Sequence, residues 1–221
     1  MDTTTAAGTA GSLDILKYLH ENGCEWSMAM CIEASRGGHI ELLKYYNEYN
    51  PLNNPMTIWC FSAAAAGGHL ECLKYLHETN CEWDHRTCTQ AAGHGQYQCL
   101  KYAHENGCSW NYNTAQAAAS SKNLMCLKYV IDNHCPIGPL ICSNAAMVGF
   151  LSGLKYAHEN GVPWDSNTTY KAAREGSLEC LIYAVKNGCP FDKDICKTAS
   201  PVCLGYIHSI NLIQCTCSSS K

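Results

Sequence analysis

Residues 65–78 read Ala-Ala-Gly-Gly-His-Leu-Glu-Cys-Leu-Lys-Tyr-Leu-His-Glu, and the same pattern returns along most of the chain. At its centre is a Leu-x-Tyr triplet that occurs eight times. The tyrosines are Tyr18, Tyr45, Tyr75, Tyr102, Tyr129, Tyr156, Tyr183 and Tyr206. Successive tyrosines are 27, 30, 27, 27, 27, 27 and 23 residues apart. A step this regular predicts a repeat protein in which each copy is one structural unit.

Residues at fixed offsets from each tyrosine predict two helices per repeat. Small residues, mostly paired alanines, precede it by ten and eleven positions, where they would let two helices approach closely. The residue at −7 is glycine in six copies and Lys122 in a seventh, and it separates the two helices. The residue at +5 is Gly, Asn or His, the types that best tolerate the left-handed end of a helix.

The second helix of each repeat is predicted to follow the span Leu70–Glu78. On a helical wheel its apolar positions cover roughly 220° of the circumference, so stacked neighbours must cover both flanks. The remaining sector carries a lysine at −1 and an acid at +3 in six copies. We expect this lysine–acid stripe to be the solvated back, with each pair contributing about 0.3–0.5 kcal/mol.

The segment 65–78 resembles the ankyrin repeat, whose second helix has the same Gly-His-Leu-Glu opening and Asn-Gly ending. The resemblance covers about residues 6–210. The 27-residue period is shorter than the usual 33 and is similar to the compact variant of giant viruses and amoebae. Arg86-Thr87-Cys88-Thr89 stands where the family has Thr-Pro-Leu-His, and the long β-hairpin finger has no room.

The predicted architecture is an all-α, ankyrin-like solenoid of about seven stacked helix-turn-helix repeats with atypical end caps. Residues 1–210 form the solenoid and residues 211–221 a flexible C-terminal tail. The first repeat is truncated, and the last is four residues short. An insertion within 47–59 carries Pro51 and Pro55 and should loosen the stack locally.

Composition and charge argue against several classes of function. The 221 residues carry a formal net charge of −4, whereas nucleic-acid binding and polybasic membrane anchoring both need a basic face. No apolar run approaches the roughly 20 residues needed to cross a bilayer. The first residues lack the charge and apolar run of a secretory signal. We therefore expect no nucleic acid, no membrane and a cytoplasmic location, with the nucleus as the other option.

Seventeen cysteines could indicate either packing or chemistry. Four pairs share a Cys-x6-Cys spacing, which differs from the Cys-x2–4-Cys of common zinc sites. Equivalent positions hold alanine, valine, threonine or phenylalanine in other copies, which favours buried, reduced packing residues over metal ligands. Five histidines at position +2 could form a pH-sensing ladder, although partly buried histidines bonded to a neighbouring loop are the preferred interpretation.

No catalytic or cofactor motif is present: there is no Gly-x-Ser-x-Gly, phosphate loop, His-Glu-x-x-His or dinucleotide fingerprint. We therefore predict that the protein is not an enzyme, with no cofactor, no catalytic residue and no metal site.

Recognition residues are expected where the copies differ, because the architecture itself determines the positions that repeat. One varying set follows the paired alanines, and the other is placed just before the first helix. The predicted partner-binding residues are Arg36, His85, Arg86, His94, Tyr112, Asn113, Met147, Arg174 and Glu175. Neutral drift at exposed sites is the alternative explanation of this variation.

The resemblance and these residues predict a non-catalytic, monomeric scaffold that binds one or more proteins through the concave face of the stack. The alternative is a cysteine-rich metal- or redox-handling protein. A third hypothesis, an adaptor to a larger machine, has no supporting motif outside the repeats.

Overall fold

The computed structural model describes residues 2–49, 57–79, 82–192 and 194–210. Over these ranges the chain is all-helical without a strand, which confirms the predicted fold class. The helices are α1 (Thr3–Ala10), α2 (Leu13–Glu21), α3 (Met28–Gly37), α4 (Ile40–Tyr49), α5 (Ile58–Gly67), α6 (Leu70–Glu78), α7 (His85–Gly93), α8 (Tyr97–Glu105), α9 (Tyr112–Ser120), α10 (Leu124–Asp132), α11 (Ile141–Met147), α12 (Leu151–Glu159), α13 (Ser166–Arg174), α14 (Leu178–Lys186) and α15 (Pro201–Ser209). The predicted tail 211–221 and the two insertion prolines lie outside the described residues.

The chain divides into two compact units, Met1–Thr114 and Ala115–Lys221. In the first unit, the odd-numbered helices α1, α3, α5 and α7 pack side by side, and each also packs on the helix that follows it. In the second unit, α11 packs on α13 in the same way, with α12 and α14 as their partners. We call the odd-numbered member of each pair the first helix and the even-numbered member the second.

The second helix forms where the periodicity places it: α6 begins at Leu70 and ends at Glu78, as predicted. Its leucine two positions before the tyrosine is fully buried in seven copies. These leucines are Leu16, Leu43, Leu73, Leu100, Leu127, Leu154 and Leu181. The last copy differs because a short 3-10 helix, Ile195–Lys197, takes the place of a first helix before α15. This agrees with the predicted atypical end cap.

Both predicted turn positions adopt the left-handed backbone conformation. Glycine occupies them in most copies, with φ between 66° and 87°. Among the described residues only Lys122 (φ 59°) and His134 (φ 58°) reach positive φ without being glycine, and they fill the −7 and +5 positions of one repeat. A side chain is costly in this region of φ and ψ, so the turn, rather than local preference, imposes the conformation. The predicted +5 residues Asn50 and Asn80 lie outside the described ranges.

Neighbouring first helices lie so close that their backbones are in contact, as their small residues predict. A Cβ added at Gly8 of α1 would lie 2.6 Å from the Met30 carbonyl oxygen of α3. One added at Gly67 of α5 would lie 2.4 Å from the Arg36 carbonyl oxygen. All four alanines of 63–66 are buried in the same helix. Larger side chains here would hold the helices apart.

Neighbouring repeats are also joined by rings on the second helices. The His77 ring stacks on Trp83 of the following loop, with centroids 4.2 Å apart and planes 15° from parallel. Its Nδ1 shares a 3.1 Å hydrogen bond with the Tyr102 hydroxyl of the next repeat. The same hydrogen bond recurs at His20–Tyr45 and His158–Tyr183, each at 2.9 Å. The histidine thus stacks on the loop and hydrogen-bonds the next tyrosine, whereas we expected the bond itself to go to the loop.

The lysine–acid stripe is arranged differently from the prediction. Lys101 approaches Glu105, four residues on, only at 3.8 Å. Lys44 and Lys74 instead pair at 2.8 Å with Glu41 and Glu71, three residues earlier. The side chain of a helical residue leans toward the N-terminus of its helix, which favours the earlier acid. The stripe is solvent-exposed as predicted, and its pairs contribute little to stability.

Gly8→Ala tests the close approach of α1 and α3. In an open helix the change would stabilise by up to about 1 kcal/mol through helix propensity. Here the new methyl group meets backbone, so we expect a net loss of about 1–3 kcal/mol in urea melts. Gly205→Ala in α15 is the matched control, because a Cβ there has no neighbour within 4 Å. It should stabilise by about 0.5–1 kcal/mol. Equal effects at the two sites would contradict the packing described here.

The pH dependence of stability tests the stacking of the half-buried His104 ring on Trp110. Burial, with the Trp110 ring centroid 3.6 Å away, lowers the pKa of His104 below its ordinary value. The unfolded state therefore binds this proton more tightly, and stability is lost as the pH falls below about 6.5. We expect His104→Phe, which keeps a flat ring but cannot titrate, to lose less stability between pH 7.5 and 5.5 than the wild type in urea melts. An equal loss in both proteins would contradict this assignment.

Candidate functional site

A groove of about 200 Å³ crosses three first helices of the first unit, α3, α5 and α7. We call it the two-arginine groove. It is lined by Ile32, Arg36, Trp59, Ser62, Ala63, Ala66, Arg86 and Gln90. The close packing of the first helices brings these residues together, since α5 lies between the helices that carry the arginines.

Arg86 is held in a defined position at the start of α7. Asp84 caps this helix, and its Oδ1 accepts a hydrogen bond from the Arg86 backbone N–H at 3.0 Å. The other carboxylate oxygen of Asp84 accepts from Arg86 Nε at 2.9 Å. The guanidinium carbon lies 4.6 Å from the centre of the Trp59 ring, a cation–π distance. The Asp84 contact occupies the Nε–H of the guanidinium, and the Trp59 ring covers one face of its plane.

Arg36 lies opposite, in the last turn of α3. Its side chain is 53% exposed, and its Nε is 3.5 Å from Glu33 of the same helix. This is a long, exposed ion pair, which contributes little and leaves the guanidinium free to bind elsewhere. A cation at this end of a helix is also favoured by the helix dipole.

Ser62 contributes a buried hydroxyl to the groove. The residue is 8% exposed, and its Oγ makes no hydrogen bond to any described part of the chain. A buried donor without a partner costs about 1–3 kcal/mol. A ligand that accepts a hydrogen bond from Ser62 would recover that cost.

The other predicted site residues of the first unit lie around α7 and the start of α9. His94 follows α7, and its Nδ1 is 3.0 Å from the Gln90 carbonyl oxygen. Tyr112 is 52% exposed. We placed His85-Arg86 and Tyr112-Asn113 just before the first helix, and this was wrong, because they are its first two residues. The caps Asp84 and Asn111 begin the helices earlier, since their carboxylate or amide oxygens accept from backbone N–H groups.

The remaining predicted residues belong to the second unit and form no part of the groove. Arg174 lies at the end of α13 and pairs with Glu175 at 2.7 Å. Its guanidinium also lies 5.7 Å from the Tyr170 ring centre. Met147 ends α11 and is half-buried. Arg174 and Glu175 thus form an exposed ion pair outside the groove.

The sequence analysis did not single out Trp59 or Ser62. Trp59 did carry a signal: the other four tryptophans of the chain all stand eight residues after a repeat tyrosine, and Trp59 does not. An aromatic residue outside the repeating register, 48% exposed, is a natural candidate for recognition. Ser62 carried no signal, because serine and alanine are interchangeable at close helix contacts.

A second, shallower depression of about 300 Å³ lies on α12 and α14 in the second unit. It includes Lys155 and Tyr183, which occupy repeating positions of the second helix. Because the same chemistry recurs in other copies, this depression offers less to distinguish one ligand from another.

The cysteines are buried packing residues, as predicted. Of the fourteen described cysteines, all but Cys24 are buried. Burial raises the pKa of Cys126, Cys135 and Cys142 to about 12, so these thiols are protonated and unreactive at neutral pH. The pKa of the Cys108 thiol, by contrast, is lowered by hydrogen bonding with Cys88. Cys81, Cys215 and Cys217 lie outside the described residues.

No group of three or more His, Cys, Asp or Glu side chains within the described ranges is arranged to hold a metal ion. In the same part of the chain, no helix has the length and apolar character required to cross a membrane.

Stacked helix pairs with left-handed turns define this chain as a helical repeat protein. Residues 60–104 match the family model described as Ankyrin repeats (many copies). The other helix pairs carry the same positions as the matched segment, so the similarity to ankyrin repeats extends beyond it. The resemblance to the compact variant of giant viruses and amoebae stays a prediction.

A search of curated proteins gave no significant match. Among solved structures, the crystal structure of the human ASB11 ankyrin repeat domain is similar, with 16% sequence identity and a TM-score of 0.47. The likeness covers 94% of this chain and 97% of that one.

Thiol labelling and chelation test the role of the cysteines. We expect excess chelator with reductant to leave the helical circular-dichroism signal unchanged, because packing thiols need no metal. Among the described thiols, Cys24 should react first with a thiol reagent at pH 8, and the buried ones only after denaturant is added. Loss of helix on chelation would show that a metal contributes to folding.

Proposed function

We propose that this chain is a non-catalytic scaffold that recognises a partner protein on the first-helix side of its repeats, the concave side in ankyrin-like stacks. Ankyrin repeats generally serve as protein–protein interaction modules, and repeat stacks provide extended binding surfaces. The observation that carries the proposal is the two-arginine groove, with its two arginines, exposed tryptophan and unpartnered hydroxyl. Arginine and tryptophan are the residues on which interface energy most often concentrates.

The back of the repeats is the competing surface. Its lysine–acid stripe offers the same charges in successive copies, so it presents no distinct pattern for one partner. The first-helix side varies between copies in charge, size and polarity, as specific recognition requires. The best predicted anchors on this side are Arg36, Arg86, Tyr112 and Arg174. Arg86 and Tyr112 represent them in the test below, and Lys101 and Lys128 represent the stripe.

The remaining parts of the proposal concern what the protein does not do and where it acts. We propose that it is a monomer without enzymatic activity and without nucleic-acid or membrane binding. The buried free thiols support a reducing compartment, the cytoplasm or the nucleus. The modest net charge of −4 supports the absence of nucleic acid.

Matched double variants test the binding side. A partner is first recovered by pull-down from the native host and purified. Calorimetry should then show that Arg86→Ala with Tyr112→Ala weakens binding by about 2 kcal/mol or more. Lys101→Ala with Lys128→Ala should change it by less than about 0.5 kcal/mol, the scale of exposed charges. Both variants should keep the wild-type helical signal.

The reverse result, with the lysine pair critical and the first-helix pair silent, would place the partner on the back and overturn the proposed side. Metal analysis and thiol titration of the purified protein address the cysteine-rich alternative. Stoichiometric bound metal would favour that alternative over a scaffold.

A further inference from the structure

We propose that the two-arginine groove receives the carboxylate of a glutamate or aspartate side chain from an extended, acidic segment of the partner protein. This proposal rests on the proposed function and names the chemistry of the partner at one place on the first-helix side.

The charge of the lining favours an anion. Among the described lining residues, Arg36 and Arg86 are the only charged ones, and both are partly exposed. Their ion-pair partners Glu33 and Asp84 are not among the described lining residues. Both oxygens of Asp84 are already engaged, one by the Arg86 backbone N–H and one by Arg86 Nε. Asp84 therefore orients Arg86 and leaves the terminal amino groups of the guanidinium available to a ligand.

The size of the groove favours a single side chain. Its volume of about 200 Å³ corresponds to about seven water molecules at the liquid density of about 30 Å³ each. That is too small for a helix or a strand. Ile32, Ala63 and Ala66 give it apolar walls, which suit the methylene groups of an acidic side chain and strengthen its charged contacts by excluding water.

The donors of the groove suit a carboxylate better than other groups. A guanidinium edge binds the two oxygens of a carboxylate with two parallel hydrogen bonds. Ser62 supplies a further hydroxyl, buried and without a partner among the described residues. A cationic ligand would meet two arginines. A doubly charged phosphate would bring more charge close to Glu33 and Asp84, the carboxylates that flank the arginines.

A displayed library of random 12-residue peptides, selected against the full-length protein, provides the probe. We expect the enriched peptides to contain Asp or Glu at one shared position. That enrichment should disappear when the library is selected against the Arg36→Gln/Arg86→Gln variant. Lys101→Gln is the matched control, because it removes a cation of similar exposure from the lysine–acid stripe on the back of the repeats. It should preserve the enrichment.

The best-enriched peptide is then synthesised in matched forms, and its affinity is measured by fluorescence anisotropy. Replacing the shared acid by its amide should weaken binding at least about tenfold, as expected for a charge-assisted pair. Arg86→Gln should cause a similar loss, and Ser62→Ala a loss of about fivefold. Lys101→Gln should change the affinity by less than about twofold.

The outcomes separate this proposal from the proposed function. If peptides bind the groove but the acid and amide forms bind equally, the carboxylate proposal is overturned and the first-helix side still binds protein. Tighter binding of a phosphoserine form than of the acidic form would overturn it in favour of a phosphopeptide. If no peptide depends on the groove, the carboxylate proposal fails. The proposed function fails separately, if the purified partner is insensitive to Arg86→Ala with Tyr112→Ala.

Discussion

Backbone contact between neighbouring first helices is the constraint on which the rest of the structure depends. The Cα of Gly8 faces the Met30 carbonyl, and Gly67 faces that of Arg36, with no room for a side chain between them. Helices this close leave only small residues at their contact, and their long side chains must project from the remaining faces. The arginines and the tryptophan of the groove project in this way, so the packing that unites the repeats also places the proposed recognition residues side by side.

The sequence predicted the features that recur and missed those that occur once. The bounds of α6, the buried leucines and the left-handed turns followed from positions that eight copies share. The starts of the first helices were placed too late, because the capping roles of Asp84 and Asn111 depend on side-chain oxygens rather than on periodicity. The lysine–acid ion pairs differed from the predicted ones because residues three and four apart are both neighbours on a helix. The spacing alone does not determine which acid the lysine contacts.

The same contrast applies to the site. Arg36 and Arg86 were predicted because they vary between copies, and the structure shows that they line one groove. Their neighbour Trp59 was overlooked although it stands outside the register of the other tryptophans. Ser62 could not have been found from sequence, since its importance depends on burial and on the lack of a partner. Variation between repeats can thus suggest where recognition residues lie, but only the packing shows which of them act together.

The placement of the tryptophans has an optical consequence. Trp83, Trp110 and Trp164 each stack on an imidazole, with ring centroids between 3.6 and 4.2 Å apart, and ring contact of this kind changes the emission of an excited indole. Trp59 has the Arg86 guanidinium over its ring instead and is half-exposed to solvent. The emission of Trp59 should therefore differ from that of the stacked tryptophans and respond to a ligand in the groove, so that the chain carries a natural optical reporter in the wall of its own groove.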